Sequence, residues 1–353
     1  MVKGIKITII FILISLSSFW VGYLITNKNS TIDLTKSKIL IDRFTGTPSA
    51  TSKPKKTIAI TLEPTISSVL NGKTIRYVAS NGQILEIDIK NLTHKTISNN
   101  IFNNILGVLW SPNANNLIFL VNGGEGNKFL FLYPDKGVVK NLDHKIITLA
   151  FSPDGDKIAY IEKNGDSSSV IIQHLDSVDP QKIANIRIRA TALNWIDNET
   201  LYLKSSSEDN IYSSFFINFS GGLAKALENK VNLEEIWSGD KQKFIFSSLI
   251  NGSDNISIFN ILNKTEMSLD IAANADKCTW SIDNKHVFCA IPKNQSGQED
   301  LFVIDVNTKE KKLVTSLESY LIAEKLFVSE IDNYAIIQNS LDHKLYRVYL
   351  ENL

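Results

Sequence analysis

Six times along the chain an apolar run ends in an aromatic residue, a tight turn follows, and a second apolar run begins. The clearest copy is LAFSPDGDKIAYIE at 149–162. Pro153 fixes φ for a turn and cannot donate to a ladder, and Gly155 adopts positive φ without steric cost. Ser152 and Asp154 can bond neighbouring backbone amides. Asp-Gly between apolar runs predicts strand, turn, strand. Related stretches begin at Val108 (VLWSPNANNLIFLV), Ala192 (ALNWIDNETLYLK), Glu235 (EIWSGDKQKFIFSS), Cys278 (CTWSIDNKHVFCAI) and Lys325 (KLFVSEIDNYAIIQ). Their aromatics are Trp110, Phe151, Trp195, Trp237, Trp280 and Phe327, spaced 41, 44, 42, 43 and 47 residues apart. A period near 43 residues matches one four-stranded propeller blade.

Each repeat continues alike. A polar loop leads to an alternating strand, such as KFLFLY, SSVIIQHL, SSFFINF, NISIFNI, DLFVIDV or KLYRVYL. A second turn and a short closing strand often follow. A blade exposes apolar side chains on both faces, and only stacking in a ring buries them. The pre-turn aromatics are therefore expected in the core between blades. NGKTIRYVASNGQILEIDIKNLTHKTIS at 71–98 supplies a first blade, with a degenerate inner strand near 66–70. The 297 residues from 57 to 353 hold about seven such units. The last repeat lacks a fourth strand, and KTIAITL at 56–62 has no other assignment. It is expected to close the ring as that missing outer strand and so remove an exposed edge. GGLAKALENKVNLEEIW at 221–237 also reads as a helix by propensity, but the regular Trp195-to-Trp237 distance favours strands.

The N-terminus adds a second expectation. No charge interrupts 7–25, and Lys3 and Lys6 precede this run. Nineteen helical residues reach roughly 28 Å, close to the bilayer hydrocarbon thickness. The flanking lysines favour a cytoplasmic N-terminus. Residues 1–26 therefore predict a transmembrane signal-anchor helix, 27–56 a flexible linker rich in Ser, Thr, Lys and Pro, and 57–353 the propeller. Cleavage after the small residues near Ser15–Ser17 is the competing reading. Either way the propeller lies outside the cytoplasm, periplasmic or at the cell surface. Membrane attachment through the N-terminal helix and a protein partner at a propeller face follow as expectations.

Function classes narrow from there. Lys+Arg and Asp+Glu are equal at 37 each, so no basic excess points to nucleic acid. His94, His144, His174, His286 and His343 show no metal-ligand spacing, and no cofactor is expected. Cys278 and Cys289 fall on the first and second strands of the sixth blade, equidistant from the turn. That register sets them opposite one another, close enough for a disulfide, with two buried thiols as the alternative. No Gly-x-Ser-x-Gly elbow exists, and NFSGG at 218–222 sits on a blade turn. Side chains converging on a channel mouth from several blades cannot be seen in a linear sequence.

The stretches FSPDGDKIAYI, WSPNANNLIFL and WSIDNKHVFCA resemble the TolB-type β-propeller repeat. The likeness covers about 66–353 and implies an extracytoplasmic propeller, not a Tol-system role. It does not carry one activity, since propellers of this kind serve many. The resulting expectation is a single all-β propeller of seven four-stranded blades that is not an enzyme. It would act as a non-catalytic binding or scaffold module of an envelope assembly. A hydrolase or lyase with a channel-mouth site, or a surface glycan binder, is the alternative.

Overall fold

The computed structural model describes residues 56–350, except 125, 143–144, 177–178, 209, 294–296 and 330–332. They form seven four-stranded antiparallel sheets, each one blade. Blades 1 to 6 span 65–98, 105–141, 146–186, 190–231, 234–271 and 278–316. Blade 7 combines three strands between 323 and 349 with Thr57–Ala59. The anchor and linker expected over 1–55 lie outside the described residues. Among the described residues no helix is long and apolar enough to cross a membrane.

Closure occurs at the seventh blade. Thr57, Ile58 and Ala59 pair antiparallel with Val348, Arg347 and Tyr346. The Ile60 amide donates to Leu345 O at 2.8 Å, and the Tyr349 amide to Lys56 O at 2.9 Å. The outer edge of the C-terminal strand is thus covered by the first described strand. The 221–237 stretch is strand, Leu223–Val231 followed by Glu234–Trp237. Its apolar residues do not form one helical stripe. Leu227 enters the core between blades 4 and 5, while Leu223 stays exposed.

Seven apolar clusters lie at the seven junctions between neighbouring blades. All six pre-turn aromatics are in them. Phe151 packs with Ile118 and Phe131 of blade 2, and Trp195 with Ala159 and Ile161 of blade 3. Trp110 reaches back to the Ser67 hydroxyl of blade 1 at 3.1 Å, and Trp280 to Ile236 O of blade 5 at 2.9 Å. The first five aromatics so fix their blades against the one before, whereas Phe327 of blade 7 packs towards blade 1. Trp237 packs edge-on to Tyr202 of blade 4 with ring centroids 4.9 Å apart.

The turns after the aromatics share one device. The buried Ser152 hydroxyl donates to Asp154 and accepts the Lys157 amide at 2.9 Å, and Gly155 takes φ +79°. Ser111, Ser238 and Ser281 are buried at the same place, followed two residues on by Asn113, Asp240 and Asp283. Asp240 accepts from the Ser238 hydroxyl at 2.6 Å and from the Gln242 amide at 3.0 Å. Cys278 and Cys289 pair directly across blade 6 and are joined by a disulfide with Cα atoms 4.1 Å apart.

Candidate functional site

The first strand of every blade lines the central channel and runs from one face of the disc to the other. It ends at the Ser-Asx turns, which define the turn face. Hairpins between second and third strands, and the links between blades, lie on the opposite, mouth face.

At the mouth, five first strands carry a bulge one residue after their start. The skipped residues are Ile66, Leu106, Ile147, Thr191 and Glu324. A bulge leaves one residue unpaired and re-aims its side chain. All five are exposed. Blades 5 and 6 carry no such bulge, and there the exposed mouth residues are Glu234 and Asp276. The rim is therefore apolar on blades 1–3 and acidic on blades 5–7.

A cavity of about 340 Å3 opens within this rim. Four blades line it, through Ile66, Glu234, Glu235, Asp276, Glu324 and Lys325. Glu235 is the most shielded of the acids. Burial pushes its carboxyl up to about 7, against the opposing pull of Lys204 and of the Tyr202 hydroxyl, which donates to it. Lys204 Nζ lies 3.8 Å from both Glu234 and Glu235 and donates to Leu233 O at 3.0 Å. Burial also raises Glu234 and Asp276, with Asp254 adding to the rise at Asp276. Lys325 stands on the channel wall and donates to Ser68 O at 3.0 Å, and desolvation of its ammonium holds it below the usual lysine range against the pull of Glu324. His343 Nδ1 lies 2.7 Å from Glu324. A carboxyl poised near neutrality beside ionisable carboxylates is what general acid–base chemistry uses.

A larger groove of about 610 Å3 lies between blades 1 and 2. Its Arg76 is already engaged by Glu86 at 2.7 Å and by Ala114 O at 2.8 Å. It gathers no comparable set of titratable groups.

Sequence reasoning placed the six aromatics, the turn and the cysteine pair, and none of these is at the mouth. The disulfide is buried in the cluster between blades 5 and 6. His286 pairs with Asp283 at 2.6 Å on the turn face, far along the blade from the mouth. His144 lies outside the described residues. Glu234, Glu235, Asp276, Glu324, Lys204 and Lys325 were missed. One signal existed. Leu106, Ile147, Thr191 and Asp276 stand four residues before their aromatic, and Glu234 and Glu324 three before.

No family model matches the chain, and no curated protein matches it. Solved structures do. Oligogalacturonate lyase in complex with manganese is 12% identical, with a TM-score of 0.64 over 85% of this chain and 94% of that one. The propeller domain of the trilobed protease from Pyrococcus furiosus is 12% identical, with a TM-score of 0.56 over 82% and 94%. That propeller has an open velcro topology, whereas here the first strand closes the last blade. TolB from Acinetobacter baumannii is 16% identical over 81% and 79%, and its TM-score of 0.42 is too low to support a family assignment.

The expectation that the chain is not an enzyme is corrected by the first of these. An enzyme is built on the same seven-bladed architecture, and in this chain carboxylates converge at the channel mouth. Linear sequence hid that convergence because its members are up to 90 positions apart. At these identities the likeness shows the fold alone. Among the described residues no three His, Cys, Asp or Glu side chains come together to hold a metal. The manganese of the lyase is therefore not carried over.

Proposed function

We propose that the protein is a propeller hydrolase or lyase that works at its channel mouth. The observation that carries this reading is the convergence of Glu234, Glu235, Asp276 and Glu324 from three blades on one cavity, with Glu235 raised to about 7. In this reading neutral Glu235 supplies a proton to the ligand. A neighbouring ionised carboxylate removes one. Tyr202 and Lys204 position Glu235 from blade 4. Oligogalacturonate is a polyanion, and its carboxylates would meet this acidic half of the rim. The substrate is therefore proposed to be neutral or cationic.

Placement outside the cytoplasm, with an anchor over 1–26, remains part of the proposal. The Cys278–Cys289 disulfide supports it, because such bonds persist in oxidising compartments. Kinship with the TolB-type repeat is likewise proposed, supported by the Ser-Asx turns.

The test is a hydrolysis and elimination screen on neutral and amino-bearing esters, lactones and glycosides, with wild type and Glu235→Gln in parallel. Turnover with a pH break near 7 that vanishes in the variant is the expected result. Turnover untouched by the substitution, or none on any substrate, would count against the reading.

A further inference from the structure

The mouth has a second property that acid–base chemistry does not require. Its apolar half is water-exposed at equivalent positions on three successive blades. Ile66, Leu106 and Ile147 are 37%, 56% and 40% exposed, although a bulge at that place accommodates Thr191 or Glu324 equally well. The links entering blades 1 and 2 extend the patch on the same face through Leu62 and Ile101, both exposed. Exposed apolar side chains grouped on one side of a rim mark an interaction site.

Charge identifies the occupant. Across the channel stand Glu234, Asp276 and Glu324, with Glu235 behind them. Two lysines, Lys204 and Lys325, face the three rim acids, and His343 lies 2.7 Å from Glu324. On the link between blades 3 and 4, beside Ile147, Arg187 and Arg189 are exposed. They would repel a basic group on that side. A cation is therefore directed to blades 5–7 and an apolar group to blades 1–3. An anionic membrane surface fits poorly, because the acidic half would be repelled by its headgroups. A small amine would leave the apolar half uncovered.

We infer that the channel mouth docks an extended polypeptide segment in which basic side chains adjoin apolar ones. Its apolar side chains cover Ile66, Leu106 and Ile147. Its basic side chains enter the cavity among Glu234, Asp276 and Glu324. This rests on the mouth being the working site but not on any turnover there. It names the class of ligand that the site takes.

The experiment is fluorescence anisotropy of a labelled Leu-Lys repeat peptide with the full-length protein. The controls are peptides in which Glu replaces Lys or Ser replaces Leu. Both controls should bind about tenfold or more weakly, and salt should weaken the Leu-Lys complex. Two double variants, Leu106→Ser with Ile147→Ser and Glu234→Gln with Glu324→Gln, should each lose about tenfold or more. All four side chains are exposed, and an unchanged unfolding midpoint shows that each variant is folded. Equal binding of the Ser-Lys peptide would make the mouth a simple amine site and overturn the inference. Equal binding of the Leu-Glu peptide, or indifference to both double variants, would overturn it as well. A dimer in solution that Leu106→Ser with Ile147→Ser dissociates would assign the patch to a second copy instead. Peptide binding that survives in Glu235→Gln, with no turnover of any substrate, would refute only the acid–base reading.

Discussion

Glu235→Gln tests the electrostatics of the mouth through stability as well as through chemistry. The Glu235 carboxyl is raised from 4.5 to about 7, chiefly by burial. Below about pH 4.5 it is protonated whether the chain is folded or not, and burial costs no charge. Above about pH 7 it is ionised in both states, and the folded state carries the full desolvation cost. Native protein binds the extra proton between these limits, so this group's contribution to stability falls as pH rises through that window. The shift corresponds to about 3 kcal/mol. Gln keeps an acceptor for the Tyr202 hydroxyl, and Lys204 retains Glu234 at 3.8 Å. Wild type should therefore lose ground to the variant by about 3 kcal/mol between pH 4.5 and 8. For about 295 folded residues that is a relative change in Tm of about 5 °C. Glu234 and Asp276 shift in the same direction, and Asp154 and Asp283 in the opposite one, so only the difference between the two proteins is diagnostic. The assay is thermal or urea unfolding of both proteins across pH 4.5–8. Parallel profiles would refute the claim that Glu235 is a buried carboxyl whose ionisation destabilises the fold as pH rises to about 7 and above.

Two further outcomes test the fold. A chain beginning at Glu63 lacks Thr57–Ala59 and bares the edge of Leu345–Tyr349. It should melt lower than a chain beginning at Lys56 and self-associate in light-scattering chromatography, and identical behaviour would sink the closing role. Ser238→Ala removes a fully buried hydroxyl that donates to Asp240, lies 2.8 Å from Lys243 O and accepts the Lys243 amide at 3.1 Å. It should cost about 1–3 kcal/mol in urea unfolding, against almost nothing for Ser220→Ala on an exposed turn.

The architecture was legible because a blade is a local object. One aromatic, one turn and two alternating runs fall within some 14 residues, and the ring repeats them. The closing strand could be placed because KTIAITL was left over just where the last blade lacked a partner. Even the cysteine register followed from counting across one turn. The mouth was not legible because it belongs to no blade. Glu234, Asp276 and Glu324 meet only once three blades stack, and the distance from each to its aromatic gives a position on the strand but not the neighbours it meets there. The shielding of Glu235 depends on Tyr202, some thirty positions earlier on a different sheet. The turn serines fall between these cases. Ser152 is conspicuous beside Pro and Gly, whereas Ser238 and Ser281, which hold equivalent turns, sit in stretches that had drifted too far to announce them.

The closing strand also sets a clock. Ala59 and Leu345 are 286 positions apart in the chain yet belong to one sheet. At roughly 5–20 residues per second, a ribosome needs about 15–60 s to pass from one to the other. Throughout that time the first strand has no sheet to join. Blade 1 likewise waits for blade 7 to cover its Ile75 and Ile87. A nascent chain that stalls before Leu345 leaves blade faces bare at the two ends of an open stack. Such a product exposes an unpaired strand and apolar blade faces, the surfaces through which incomplete chains associate.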